Sequence, residues 1–166
     1  PTKRADQPVA TGPVEIEGTG TYPKDGLWDV LIAFDVKYRY ANGVEMHYSY
    51  SRPYVRFEGD EGWIEAPYGG RLTASRESIL LSAIGPNEIH LPRKTDKRDF
   101  LDAVKSRGNT MEDAEVGHRT TSVCHLGHIA IQLGRKLKWD PEKEIFPDDP
   151  EANRMLDKPR RAPWTI

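Results

Sequence analysis

Cysteine is almost missing from these 166 residues: Cys124 stands alone, so no intrachain disulfide can form. Within a helix-like stretch it reads as a small buried hydrophobe, a usage that favours a reducing, cytoplasmic setting. No run of about 18 apolar residues exists, which excludes a membrane-spanning helix, and Pro1 to Pro8 lack the apolar centre of a signal peptide. An excess of either charge is missing too. With 24 Lys and Arg against 26 Asp and Glu, no global field points to nucleic acid or an anionic membrane as partner. There is no Gly-x-Ser-x-Gly nucleophile turn and no phosphate loop. The segment Gly18-Thr19-Gly20-Thr21-Tyr22-Pro23 puts proline where a dinucleotide fingerprint needs its third glycine, with strand rather than helix ahead, and is expected to be an ordinary loop. The first residue is not Met, which fits a processed product or an excised fragment, and the length suits one domain with a real core.

What is present is organised around Asp29 to Tyr50, read as two long antiparallel strands. Val30, Ile32, Phe34, Val36, Tyr38 and Tyr40 alternate with positions that turn charged at Asp35, Lys37 and Arg39, a period of two. Beyond Ala41-Asn42-Gly43 the alternation resumes, with Val44, Met46, Tyr48 and Tyr50 on one face and Glu45, His47 and Ser49 on the other. A two-residue Asn-Gly loop would place Tyr40 opposite Glu45 and mix the faces. A three-residue loop closed by Gly43 in a left-handed bulge places Tyr40 opposite Val44 and Arg39 opposite Glu45, and this register is the one expected. Helices should cover the aromatic face, leaving the charged face open with Leu31 and Ala33 at its far end. The tyrosines Tyr38, Tyr40, Tyr48 and Tyr50 share their face with Val36 and Met46, which marks a core more than a sugar-stacking platform.

Pro1 to Pro13 reads as a linker or ordered tail. Val14, Ile16 and Gly18 form a short strand. After the hairpin, Tyr54 to Glu58 (with Val55 and Phe57 inward), Trp63 to Ala66 and Arg71 to Ala74 make an antiparallel meander, with a tight turn from Gly59 to Gly62. A short helix is expected over Ser78 to Ile84 and a short strand over Glu88 to Leu91. Thr95 or Asp96 caps a helix carrying Phe100, Leu101 and Val104, which Gly108 closes. A longer helix runs from Glu112 to Leu137. Its buried side is set by Val116, Val123, Ala130 and Leu137 with Gly127 and Gly134, the small residues allowing close approach to the sheet. Asp149-Pro150 opens a last short helix to Asp157, and the end, where Pro159 and Pro163 space out Arg160, Arg161 and Trp164, reads as extended and docked.

Projected at about 100° per residue, His118, Thr121, Ser122, His125, His128 and Gln132 fall in one polar stripe of the long helix, so something polar should face it. Cys124, His125 and His128 make a poor metal set, because a helix turns Cys124 away from His125 and no carboxylate has partner spacing. His118, near the helix N-terminus, is the member placed where helix ends line clefts. Lys158, Arg160 and Arg161 form a tail cluster able to grip phosphate or simply to be solvated.

Several stretches then resemble one family together. These are Val55-Arg56-Phe57-Glu58-Gly59-Asp60-Glu61-Gly62-Trp63-Ile64-Glu65 and Phe100-Leu101-Asp102-Ala103-Val104-Lys105-Ser106-Arg107, with Gly12 to Gly18, Ile84 to Leu91, Val116-Gly117-His118-Arg119, Cys124-His125-Leu126-Gly127 and Arg161-Ala162-Pro163-Trp164. In combination they are similar to the C-terminal domain of the Gfo/Idh/MocA (glucose-fructose oxidoreductase, inositol dehydrogenase, MocA) family, its bacterial-type subgroup. The resemblance implies an α+β domain over residues 14–139, an open, mainly antiparallel sheet with helices on one face, and a packed short helix and tail over 140–166. It implies a C-terminal piece of a longer enzyme, with NAD or NADP held by an N-terminal Rossmann domain that this sequence does not contain, acting on sugars, cyclitols or related hydroxyl compounds. No catalytic, cofactor-binding or metal residue carries over; His118 and Arg119 are the candidate cleft contacts. It also implies a homo-oligomer joined through the open face, with Leu31, Ala33, Asp35, Lys37, Arg39, Glu45 and His47 at the contact. The alternative is a non-enzymatic module that uses this face to bind carbohydrate or protein.

Overall fold

Gly43 sets the central hairpin. The computed structural model describes residues 12–88, 90 and 94–163, and in it Gly43 has φ +87°, the left-handed conformation that glycine adopts without strain. The Gly43 N–H donates to the Tyr40 carbonyl at 3.0 Å and the Tyr40 N–H donates to Val44 O at 2.9 Å, with the Asn42 side chain accepting from the Val44 N–H. β2 (Ala33–Tyr40) therefore pairs with β3 (Glu45–Ser49) in the expected register, Val36 opposite Tyr48, Tyr38 opposite Met46 and Arg39 opposite Glu45.

β1 (Pro13–Thr21) runs antiparallel on the other side of β2, and β7 (Leu137–Lys138) adds to it with Ile16 opposite Leu137, giving the order β3-β2-β1-β7. Two expectations change here. β2 begins at Ala33 rather than Val30, because β1 ends at Thr21, its partner, and no strand lies opposite Val30. Gly18 to Thr21 is strand rather than loop. Gly18 and Gly20 seat the C-terminal end of the long helix: a Cβ on Gly18 would stand 3.0 Å from Ile131 Cγ1 and 3.1 Å from Val36 Cγ2, and one on Gly20 2.9 Å from Ile131 Cγ2.

That helix, α3 (Ala114–Leu133), is capped by Asp113, whose side chain accepts from the Val116 N–H at 3.1 Å. It stops at Gly134, in the left-handed region at φ +62°, which donates to Ala130 O and Ile131 O. Leu137 thus belongs to a strand instead of the helix, although it is buried as expected. The core gathers Ile16, Val36 and Tyr38 of the sheet under Leu126, Ile129 and Ala130 of α3, closed by Trp139 and Phe146. Gly127 lets the helix sit directly on the Tyr38 and Val36 side chains, and the Tyr38 hydroxyl donates to Val123 O at 3.0 Å. Burial pushes the Tyr38 phenol well above its ordinary pKa, with the nearby Cys124 acting in the same direction. Cys124 itself and Val116 are exposed, because the buried side of α3 is Leu126, Gly127, Ile129 and Ala130. The helix covers only the middle of the aromatic face, so Val30, Ile32, Val44 and Tyr50 remain more than half exposed.

The tail closes with α4 (Pro150–Arg154). As read from Asp149-Pro150, the Asp149 side chain caps it, accepting from the Ala152 N–H at 3.1 Å. Arg135 grips the same carboxylate with contacts of 2.6 and 2.9 Å, and this pairing, helped by the cap, holds the Asp149 pKa down to about 2.

The chain divides into two compact units, one made of Pro1–Tyr50 and Met111–Ile166 and the other of Ser51–Thr110. The meander is present as a separate antiparallel sheet, β4 (Tyr54–Gly59), β5 (Gly62–Pro67) and β6 (Thr73–Ala74), followed by α1 (Glu77–Leu81) and α2 (Asp96–Ser106). The α+β class and the antiparallel pairing hold, with the strands divided between two sheets. Val55 and Phe57 were expected inward but are 54% and 70% exposed, since the five-residue α1 reaches only the Gly62 end of that face, where Ile79 lies. On the other face Arg52 bonds Glu65 at 2.6 Å, and Arg56 stacks over Trp63. Thr95 caps α2 as expected, accepting from the Arg98 N–H. The helix ends through Arg107 at φ +56° rather than through Gly108. Of the strand expected over Glu88 to Leu91, Glu88 and His90 are outside any strand, while Ile89 and Leu91 lie outside the described residues, as do Pro1 to Thr11 and Trp164.

Candidate functional site

The polar stripe of α3 forms one wall of a groove of about 920 Å³. All of His118, Thr121, Ser122, His125, His128 and Gln132 line it, as the helical projection required. What faces them is the loop after β7 and the segment Met155 to Arg160, with Leu126, Ile129 and Trp139 beneath. An apolar floor with convergent polar walls, of this size, is the usual form of a small-molecule site.

His118 is held from across the groove. The loop after Trp139 turns on Asp140, whose Oδ1 accepts the N–H groups of Glu142 and Lys143 at 3.0 Å each, bonds that pull the Asp140 pKa below the usual carboxylate value. The Glu144 N–H donates to Asp140 O at 2.8 Å, and Glu144 takes the left-handed φ of +54°. Such a φ on a non-glycine residue marks a position where the surroundings dictate the backbone. Its Oε1 lies 2.7 Å from His118 Nε2 and 2.8 Å from Arg119 Nη1. A carboxylate only accepts, so His118 donates through Nε2 to Glu144. Arg119 does not line the groove. It stands behind Glu144, bonding Glu115 at 2.8 Å and the Pro141 carbonyl at 2.7 Å, and so acts as a brace.

The loop is fixed from below by Phe146, which is fully buried against Trp139 with ring centroids 4.9 Å apart. Asn153 of α4 bonds both polar groups of the Phe146 backbone, accepting its N–H at 2.8 Å and donating to its O at 2.7 Å. Glu144 was missed in the sequence because it sits 26 residues from His118 in a loop without periodicity. Trp139 was missed for the same reason. Of the tail cluster, Lys158 and Arg160 reach the groove and Arg161 does not.

The charged face lies on the other side of the sheet and is open. Asp35, Lys37, Arg39, Glu45 and His47 are exposed there, and Lys37, Arg39, Glu45 and His47 border a shallow depression of about 90 Å³ together with Glu15, Glu17 and Lys136. Arg39 lies 3.3 Å from Glu45 and 3.9 Å from Glu15, which also takes Lys136 at 3.3 Å. Ala33 shares this side, but Leu31 departs from it. Having left the ladder, Leu31 turns toward the helix-covered face, where its Cδ2 would stand 2.6 Å from a Cβ on Gly20. Among the described residues no group of three His, Cys, Asp or Glu is placed to hold a metal ion, and no helix is long and apolar enough to cross a membrane.

An antiparallel sheet carrying one long helix, with a polar groove beside that helix, places the chain in the α+β class. Residues 10–166 match the Gfo/Idh/MocA family, described as "Oxidoreductase family, C-terminal alpha/beta domain". The chain belongs to that family. No curated protein matches it. Among solved structures it is similar to an aldose-aldose oxidoreductase from Caulobacter crescentus complexed with glycerol, at 12% identity and a TM-score of 0.55, a likeness of fold. The similarity covers 76% of this chain and 41% of that one, so the chain spans less than half of the solved relative.

Proposed function

We propose that this chain is the substrate-pocket and oligomerisation portion of an NAD(P)-dependent oxidoreductase acting on sugars, cyclitols or related hydroxyl compounds, with the nicotinamide held by a Rossmann domain outside this sequence. The observation that carries the reading is the groove of a chain belonging to an oxidoreductase family, in which Glu144 fixes His118 among further hydroxyl, imidazole and amide side chains. These groups exchange hydrogen bonds with substrate hydroxyls, Trp139 and Ile129 supply apolar contact, and Arg119 keeps Glu144 in place. In the enzyme where this chain is joined to its nucleotide-binding domain, His118→Asn should raise KM for the hydroxyl substrate about tenfold, the worth of one good hydrogen bond, and leave KM for the cofactor unchanged. An unchanged substrate KM would remove His118 from the pocket.

The open charged face serves in this reading as the contact between copies. Lys37, Arg39, Glu45 and His47 carry it, with Asp35 and Ala33 at its edge, and alternating charges allow a self-complementary pairing about a twofold axis. Arg39→Glu should then lower the mass seen by sedimentation from dimer to monomer; equal masses for both chains would discard the interface.

A further inference from the structure

We propose that the groove between α3 and the Met155 to Arg160 segment takes a ligand bearing a carboxylate or phosphate group, held by His125, His128 and Lys158. The acids of the groove are engaged, and basic groups are left over. Of the acids that line the groove, Glu144 is occupied by His118 and Arg119, and Asp157 lies 3.8 Å from Arg160. The basic groups are not balanced in the same way. The Lys158 ammonium and the imidazoles of His125 and His128 have no hydrogen-bond or ion-pair partner among the described residues, yet all three line one groove. With the lining acids Glu144 and Asp157 already engaged, Lys158 keeps an unpaired positive charge and the two imidazoles add ring N–H donors beside it, so a bound anion gains charge-assisted hydrogen bonds on this wall.

The floor explains why the ligand is more than a bare ion. Leu126, Ile129 and Trp139 are buried beneath the basic wall, so a ligand with an apolar or C–H face attached to its anionic group meets both surfaces. The position of Lys158 is set by its own backbone, whose N–H donates to Asp157 Oδ1 at 2.8 Å as the chain leaves α4. Arg161, two residues from the groove-lining Pro159, lies off the lining and provides an internal control.

The inference goes beyond the oxidoreductase reading, because its test contains no cofactor and no turnover. Backbone amide chemical shifts of the chain are followed during titration with glucuronate, with glucose 6-phosphate and with glucose. Saturable shifts at His125, His128 and Lys158 with either anion, and weaker ones with glucose, are expected; the tighter anion identifies the carboxylate or the phosphate as the group recognised. Lys158→Gln should weaken the anion roughly tenfold, the factor for one charge-assisted contact, and Arg161→Gln should leave it unchanged. Equal affinity for glucose, no shifts in the groove with either anion, or an unaltered Lys158→Gln chain would each overturn the proposal.

Discussion

Phe146→Ala is expected to destabilise the unit formed by the four-stranded sheet and α3 by about 3–5 kcal/mol, the range for truncating a fully buried phenylalanine. The ring has no exposed surface and stands edge-on to Trp139, so its removal takes away the apolar burial and the aromatic contact and leaves a cavity below the groove. The loss extends to the site. Phe146 follows closely on the loop that places Glu144, and Asn153 secures its backbone, so a loosened Phe146 frees Glu144 from His118. Urea unfolding followed by circular dichroism measures the energy, and the His118 side-chain resonances report the lost contact. A cost below about 1 kcal/mol would mean that the Trp139–Phe146 layer is not part of the core.

Gly127→Ala comes next in size. Alanine is the better helix former by about 1 kcal/mol, so on propensity alone the change would stabilise α3. Packing decides the other way. The new methyl meets the Tyr38 hydroxyl and lies 3.3 Å from Val36 Cγ1, in a layer where Val36 and Tyr38 are almost fully buried. Either α3 lifts from the sheet or Tyr38 swings out and loses its bond to Val123, and we expect a net cost of about 1–3 kcal/mol. Tyr38→Phe removes the obstructing oxygen, so the double variant should recover part of that cost, a coupling visible in a double-mutant cycle. Gly117→Ala provides the contrast: nothing lies within 4 Å of its Cβ, so propensity should prevail and the helix should gain stability. If Gly127→Ala also stabilised the chain, the close seating of α3 would be wrong.

The sequence was most legible where local chemistry decides. Ala41-Asn42-Gly43 fixed a turn and hence a register, and Thr95 and Asp149-Pro150 marked helix starts that the backbone uses. The helical period of α3 alone brings six groove residues onto one side. It was least legible where a distant neighbour decides. Gly18 and Gly20 look like loop glycines, but they are strand positions kept bare for Ile131. Val55 and Phe57 alternate like core residues, yet the short α1 does not cover them. Leu137 keeps helical spacing with Ala130, and only the left-handed turn at Gly134 reveals that it belongs to a strand. The candidate site was accordingly half readable: its helical wall is periodic, whereas Glu144, Trp139 and the segment opposite are placed by the tertiary fold.

In the proposed reading this chain supplies the substrate groove, and the nicotinamide is held by a domain outside it. Pyrophosphate binding of the Rossmann kind needs a Gly-rich turn from a strand into a helix N-terminus. Here the glycines of β1 lead instead into more strand, and α3 starts from Asp113, whose carboxylate already occupies its first turn. Calorimetric titration of the chain with NADH tests this most directly. The account predicts heats no larger than dilution, whereas saturable binding at micromolar concentration would contradict it.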